Sequence, residues 1–145
     1  MPVGWHYLRN AAVERQDNRS ADGGSFLRFQ VRTINDPGRA LQGMALDGRR
    51  IDQIRLSARV RGVTITRPSD SHSGPAVVIT FYDRRRAAIQ SERLGPWGRD
   101  FDWQRVERTI DVPLATREAI VRVGLLGAAG TLDIDEVRLV VLENP

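Results

Sequence analysis

Two short stretches of this chain put an aromatic ring beside hydrogen-bonding and charged groups in turn-like sequence. The first is Gly95-Pro96-Trp97-Gly98, followed by Arg99, Asp100 and Asp102. A large flat side chain in so tight a loop is hard to bury. With its neighbours it makes the combination that holds a sugar ring, C–H groups against the π-face while Asp and Arg read hydroxyls. The second is Tyr82-Asp83 followed by Arg84, Arg85 and Arg86, at the end of an apolar run. If the two loops are neighbours they form one cleft with Trp97 as stacking platform and Tyr82, Asp83, Arg84, Arg99 and Asp100 as readers. Each has a structural alternative, a loop anchor packed on the sheet edge for Trp97 and a solvated hairpin tip for the arginines. Arg28, Arg55, Arg59, Arg61 and Arg122 form a further candidate face, with Gln30, Gln42 and Gln90 beside it. Trp103, at a strand start with apolar residues in register, reads as a core tryptophan.

Bond-making chemistry has little to stand on. There is no G-x-S-x-G elbow, no H-E-x-x-H and no P-loop. The two histidines, His6 and His72, are far apart, and Ser71 or Ser73 cannot readily face His72 within one short loop. The expectation is a protein that binds and does not catalyse.

Composition narrows the partner. All 22 basic residues are arginine, against 18 acidic ones, for a formal net charge of +4. An arginine-only cation set fits a GC-rich genome, and most of it reads as solvated surface. A clustered subset would still match carboxylate or sulfate through the planar guanidinium fork. The acidic residues are dispersed through the same segments and no nucleic-acid motif is present, so no nucleic-acid partner is expected. No apolar run approaches the ~20 residues of a membrane span, so no membrane partner is expected either. Without cysteine there is neither a disulfide framework nor a thiolate metal site.

The elements that must position these residues read as strands. From Ile51 to Val63, Ile54, Leu56, Ala58 and Val60 alternate with Arg55, Ser57, Arg59 and Arg61, the two-residue period of a strand with one wet face. Leu27, Phe29 and Val31 alternate likewise, as do Ala119, Val121, Val123 and Leu125. Ala76 to Tyr82 is apolar enough for a central strand covered on both faces. Trp103 to Val112 and Leu132 to Leu142 follow, the last with a kink at Asp135 and Glu136 where the alternation slips by one. Short helices are expected only around Ala40 to Asp47 and Thr116 to Ala119. At least six strands separated by Gly-, Pro- and Asp-rich turns predict an all-β sandwich or barrel, a single domain over residues 1–145.

Read in order, GGSFLRFQV, IRLSARVRG, VVITFYD, GPWGRDFDWQRVERTIDVP and AIVRVGLLGAAGTLDIDEVRLV resemble the galactose-binding-domain-like jelly roll, a β-sandwich of two antiparallel sheets. More narrowly, the text is similar to the carbohydrate-binding modules attached to bacterial xylanases and glucanases. That resemblance implies a non-catalytic module, excised from a larger extracellular or periplasmic protein, that targets a parent enzyme to a polysaccharide or oligosaccharide. It also implies a structural calcium, with Asp135 as carboxylate ligand and the Gly23, Gly24 and Ser25 turn lending oxygens, although Met1-Pro2-Val3 stands where the family's first strand would supply another. The alternative is a structural or protein-interaction sandwich packed against a neighbouring domain of the parent chain. An open sheet edge left by a missing first strand would permit a homodimer.

Overall fold

The computed structural model of the chain describes residues 5–15, 25–69 and 73–142. Among the described residues there is no helix, and ten strands form two five-stranded antiparallel sheets. In chain order they are β1 (His6–Arg9), β2 (Ala11–Arg15), β3 (Ser25–Val31), β4 (Arg39–Ala45), β5 (Gln53–Thr66), β6 (Ala76–Tyr82), β7 (Ala88–Leu94), β8 (Phe101–Asp111), β9 (Glu118–Gly124) and β10 (Ala129–Leu142). One sheet runs β1-β4-β9-β6-β7 and the other β2-β3-β10-β5-β8. The chain passes between sheets at Asn10, whose φ of 50° turns β1 into β2. This is the jelly-roll sandwich expected of the sequence.

The two-residue period decides which side chains fill the space between the sheets. Leu27, Phe29 and Val31 of β3, Ile54, Leu56, Ala58 and Val60 of β5, and Leu132 and Ile134 of β10 come from one side; Val77, Ile79 and Phe81 of β6 and Ala119, Val121 and Val123 of β9 come from the other. Fully burying a residue such as Phe29 or Ile79 contributes roughly 1.5–3 kcal/mol of transfer free energy. At the β7/β8 edge the inward positions carry charge instead. There Arg108 Nη2 lies 2.8 Å from Glu92 Oε2 and joins the two sheets.

The last strand contains the slip that its sequence carries. On β10, Asp135 pairs with Arg59 and Arg138 with Ser57, so three steps on β10 match two on β5. The extra residue is a β-bulge at Glu136, φ 50°. It keeps both Asp135 and Arg138 on the outer face while Ile134 and Leu139 turn toward the core.

The two expected helices are not formed. Ala40 to Asp47 is mostly β4, where Ala40, Gln42 and Met44 pair with Val123, Val121 and Ala119. Its Ala, Leu, Gln and Met favour helix locally, but pairing with β9 overrides that weak preference. Thr116 belongs to a turn, its N–H donating to Pro113 O at 3.0 Å, and Glu118 already begins β9.

Two positions yield tests. Gly124 ends β9 at φ 142°, and a Cβ there would overlap the Gly38 carbonyl oxygen. Gly124→Ala should therefore destabilise by more than about 1 kcal/mol in a denaturant titration, and an unchanged midpoint would contradict this close approach. In the turn after β4, Asp47 Oδ1 accepts from Arg49 N at 2.9 Å and Arg49 Nε at 3.0 Å. These hydrogen bonds lower the Asp47 pKa from 3.8 to about 2. A carboxylate depressed in the folded state stabilises fully above its ordinary range, and that contribution is lost as pH falls through the folded value. NMR titration of the Asp47 carboxyl should give a midpoint near that depressed value, and an ordinary midpoint would show that the Arg49 hydrogen bonds are not kept in solution.

Candidate functional site

The outer face of the β2-β3-β10-β5-β8 sheet carries the densest arrangement of aromatic and charged groups among the described residues. Asp133 on β10 stands directly between Arg28 of β3 and Arg61 of β5 in the strand register. Its side chain is 1% exposed. Arg28 donates through Nε to Asp133 Oδ1 at 2.8 Å and through Nη2 to Oδ2 at 3.1 Å. Arg61 donates through Nε at 3.0 Å and Nη2 at 2.6 Å, both to Oδ2. The hydrogen bonds to Asp133 raise the pKa of Arg28 against the lowering effect of partial burial. A buried carboxylate is tolerable only when charge and hydrogen bonds compensate its lost hydration, and the two guanidinium groups do so here.

Aromatic rings flank this row. Phe26 and Trp103 meet edge to face, centroids 5.5 Å apart at 84°. The Arg61 guanidinium sits 5.0 Å from the Trp103 ring centroid and 5.9 Å from that of Phe26, and Arg28 lies 5.3 Å from Phe26. Each such cation–π contact contributes on the order of 0.5–1 kcal/mol at a partly exposed site. The next row along the sheet holds Asp135 of β10, Arg59 of β5 and Arg105 of β8, each directly across from the next. Two donors on this face are buried with no hydrogen-bond partner among the described residues, Trp103 Nε1 and Arg59 Nε.

The structure separates the residues that sequence reasoning grouped into one cleft. Trp97 N donates to Pro75 O at 2.9 Å, just before β6, whereas Tyr82 ends β6 and Asp83 and Arg84 follow it. Seven residues of strand stand between, about 20 Å. Asp83 Oδ1 accepts from Arg85 N and Ala87 N and so closes its own turn. Asp100 Oδ1 accepts from Ile65 N at 3.1 Å, and Arg99 is exposed. Trp97 is half-buried, 6.0 Å from Phe101 and packed against the core.

Arg28, Arg55, Arg59 and Arg61 do share one outer face, with Gln30, but Arg122 lies on the opposite sheet, Gln42 pairs with inward-facing Val121, and Gln90 is on edge strand β7. Trp103 is not a core residue. It belongs to the outward set with Arg105 and Glu107, and is half-buried there. The alternation W-x-R-x-E held that signal, as F-x-R-x-Q does for Phe26, Arg28 and Gln30 in the outward register.

Ser25 and Asp135 line one cavity of about 320 Å³, together with Trp5 and Glu136. Gly23 and Gly24 lie outside the described residues, as do Met1-Pro2-Val3, Ser71 and His72. Calcium takes six to eight oxygens, and of the expected ligands only Ser25 and Asp135 fall among the described residues. Asp135 Oδ1 already accepts Glu136 N at 2.9 Å, Glu136 Oε1 accepts Arg138 Nη2 at 3.3 Å, and no three metal-ligating acidic or histidine side chains come together among the described residues.

Solved structures share this fold. The chain aligns with the enzymatically active domain of bacteriophage CBA120 tailspike protein 4 at a TM-score of 0.70 and 11% identity, covering 97% of this chain and 20% of that one. It aligns with a family 16 carbohydrate binding module at a TM-score of 0.64 and 14% identity, covering 95% and 91%. With the CBM22-1 xylan-binding domain of Paenibacillus barcinonensis Xyn10C the TM-score is 0.56 and the identity 12%, over 98% and 88%. The chain thus spans about a fifth of the tailspike domain and nearly all of each binding module. No protein-family model matches, and no curated protein matches in sequence. The fold is the jelly-roll sandwich found in carbohydrate-binding modules.

Proposed function

We propose that this domain is a non-catalytic carbohydrate-binding module whose glycan lies on the outer face of the β2-β3-β10-β5-β8 sheet, with Trp103 as its aromatic contact. The observation that carries this reading is the pair of buried donors, Trp103 Nε1 and Arg59 Nε, that no described residue satisfies beside an aromatic pair. Leaving a buried donor unbonded costs about 1–3 kcal/mol, so a face that keeps two of them gains from a ligand rich in acceptors. Sugar hydroxyl and ring oxygens are such acceptors, and the C–H face of a pyranose covers an indole.

The Asp133 network supports the same reading from the side of order. Arg28 and Arg61 are fixed by their carboxylate before any ligand arrives, so binding loses little side-chain entropy. The fold, shared with a xylan-binding domain, supports a polysaccharide or oligosaccharide as partner. In its parent protein the module would bring an attached enzyme to that polysaccharide outside the cytoplasm.

Retention on polysaccharide gels and titration with soluble oligosaccharides test the assignment. Trp103→Ala should weaken binding at least about tenfold, some 1.4 kcal/mol, with a cooperative unfolding transition retained. Loss of binding in Trp97→Ala with retention in Trp103→Ala would return the site to the Gly95–Gly98 loop, and a wild-type domain retained by no polysaccharide would favour a structural or protein-interaction role. Asp133→Asn should separate stability from recognition. It leaves two arginines facing a neutral amide and should cost about 3 kcal/mol in unfolding free energy, and a cost near zero would contradict the role of the network.

A further inference from the structure

Next to the Trp103 row, Ser57, Arg59, Arg105, Glu136 and Arg138 line a cavity of about 220 Å³ on the same outer face. Arg59 and Arg105 are directly opposite one another on β5 and β8. Like charges in directly opposed positions destabilise a strand pair, unless an anion lies between them.

Each acidic group around this cavity makes a hydrogen bond of its own. Glu107 Oε2 accepts Arg105 Nη2 at 3.1 Å, Glu136 Oε1 accepts Arg138 Nη2 at 3.3 Å, and Asp135, across β5 from Arg59, accepts Glu136 N through Oδ1. None of these contacts reaches Arg59 Nε, which is buried without an acceptor among the described residues.

We infer that this cavity receives an oxyanion, a carboxylate or sulfate ester carried by the glycan, between the guanidinium groups of Arg59 and Arg105. The inference rests on the proposed glycan reading of the same face and names the class of sugar. A guanidinium presents parallel N–H donors that match the two oxygens of a carboxylate or sulfate. Arg59 is two residues from Arg61 along β5, about 7 Å, which lets a sugar held at Trp103 or its neighbour in the chain direct an acidic substituent into the cavity.

The test compares oligogalacturonate, the same oligosaccharide after carboxyl reduction, and a sulfated neutral oligosaccharide, by calorimetric titration at low and at about 0.5 M salt. Wild type should bind one of the two acidic probes at least about tenfold tighter than the reduced one, with the preference persisting at the higher salt. Preference for the uronate identifies carboxylate as the ligand group, and preference for the sulfated probe identifies the ester. Arg59→Gln and Arg105→Gln should each bring acidic binding down to the level of the reduced probe, while Arg59→Lys should keep part of the preference.

Equal binding of acidic and reduced probes by wild type would overturn the inference and leave the glycan reading standing. An Arg59→Gln variant that folds, with unaltered near-ultraviolet circular dichroism, and keeps the full preference would also overturn it, as would an oligodeoxynucleotide binding as tightly as the uronate. Absence of binding to every saccharide would remove the underlying reading itself.

Discussion

One buried carboxylate organises the outer face of the β2-β3-β10-β5-β8 sheet. Asp133 sits in the first half of β10, the central strand of its sheet, on the side away from the hydrophobic core. Four hydrogen bonds from two arginines hold it, and the same arginines lie against Phe26 and Trp103. Removing one group leaves the others uncompensated, since a paired buried charge is stable only as part of its network. The aromatic contacts further cover the guanidinium planes and limit how far they can swing. What results is a fixed surface, assembled from three adjacent strands and an edge strand.

The core makes that surface possible. A jelly roll whose inner faces are filled by Phe29, Phe81, Ile54, Ile79, Leu132 and Ile134 leaves the outer face of each sheet free to carry other chemistry. The bulge at Glu136 then adjusts one strand within it. Because three residues of β10 span two of β5, Arg138 comes to the outer face beside Ser57 and not to the core side. A regular strand would have turned that arginine inward and left the cavity beside Arg59 without one of its walls.

Much of the fold was legible in the sequence because its strands alternate cleanly. Ile54 to Arg61 predicted which side chains meet the core and which meet solvent, and the slip at Asp135 and Glu136 predicted the bulge. Strands β1, β2, β4 and β7 were hidden, β1 and β2 because they are only four and five residues long, β4 because Ala, Leu, Gln and Met carry no strand preference of their own, β7 because as an edge strand it exposes most of its residues and shows no apolar side. The site was harder to read. Strand order alone brings positions 28, 133 and 61 into one row, and strand order is a property of the whole fold that no local pattern encodes. Hence Tyr82, the last residue of β6, and the loop residue Trp97 look like neighbours in the sequence although β6 holds them apart, and Trp103, with outward residues on either side of its register, reads as core.

A ligand that meets this protein at Trp103 must perturb the indole of that residue. The three tryptophans give three indole N–H resonances, those of Trp5, Trp97 and Trp103, and assigning them while adding an oligosaccharide that the domain retains measures contact directly. Contact at Trp103 predicts a concentration-dependent shift of the Trp103 Nε1–H signal as it gains a hydrogen-bond acceptor, with Trp5 and Trp97 unmoved. A Trp103 signal that stays in place at saturation while Trp97 shifts would contradict it.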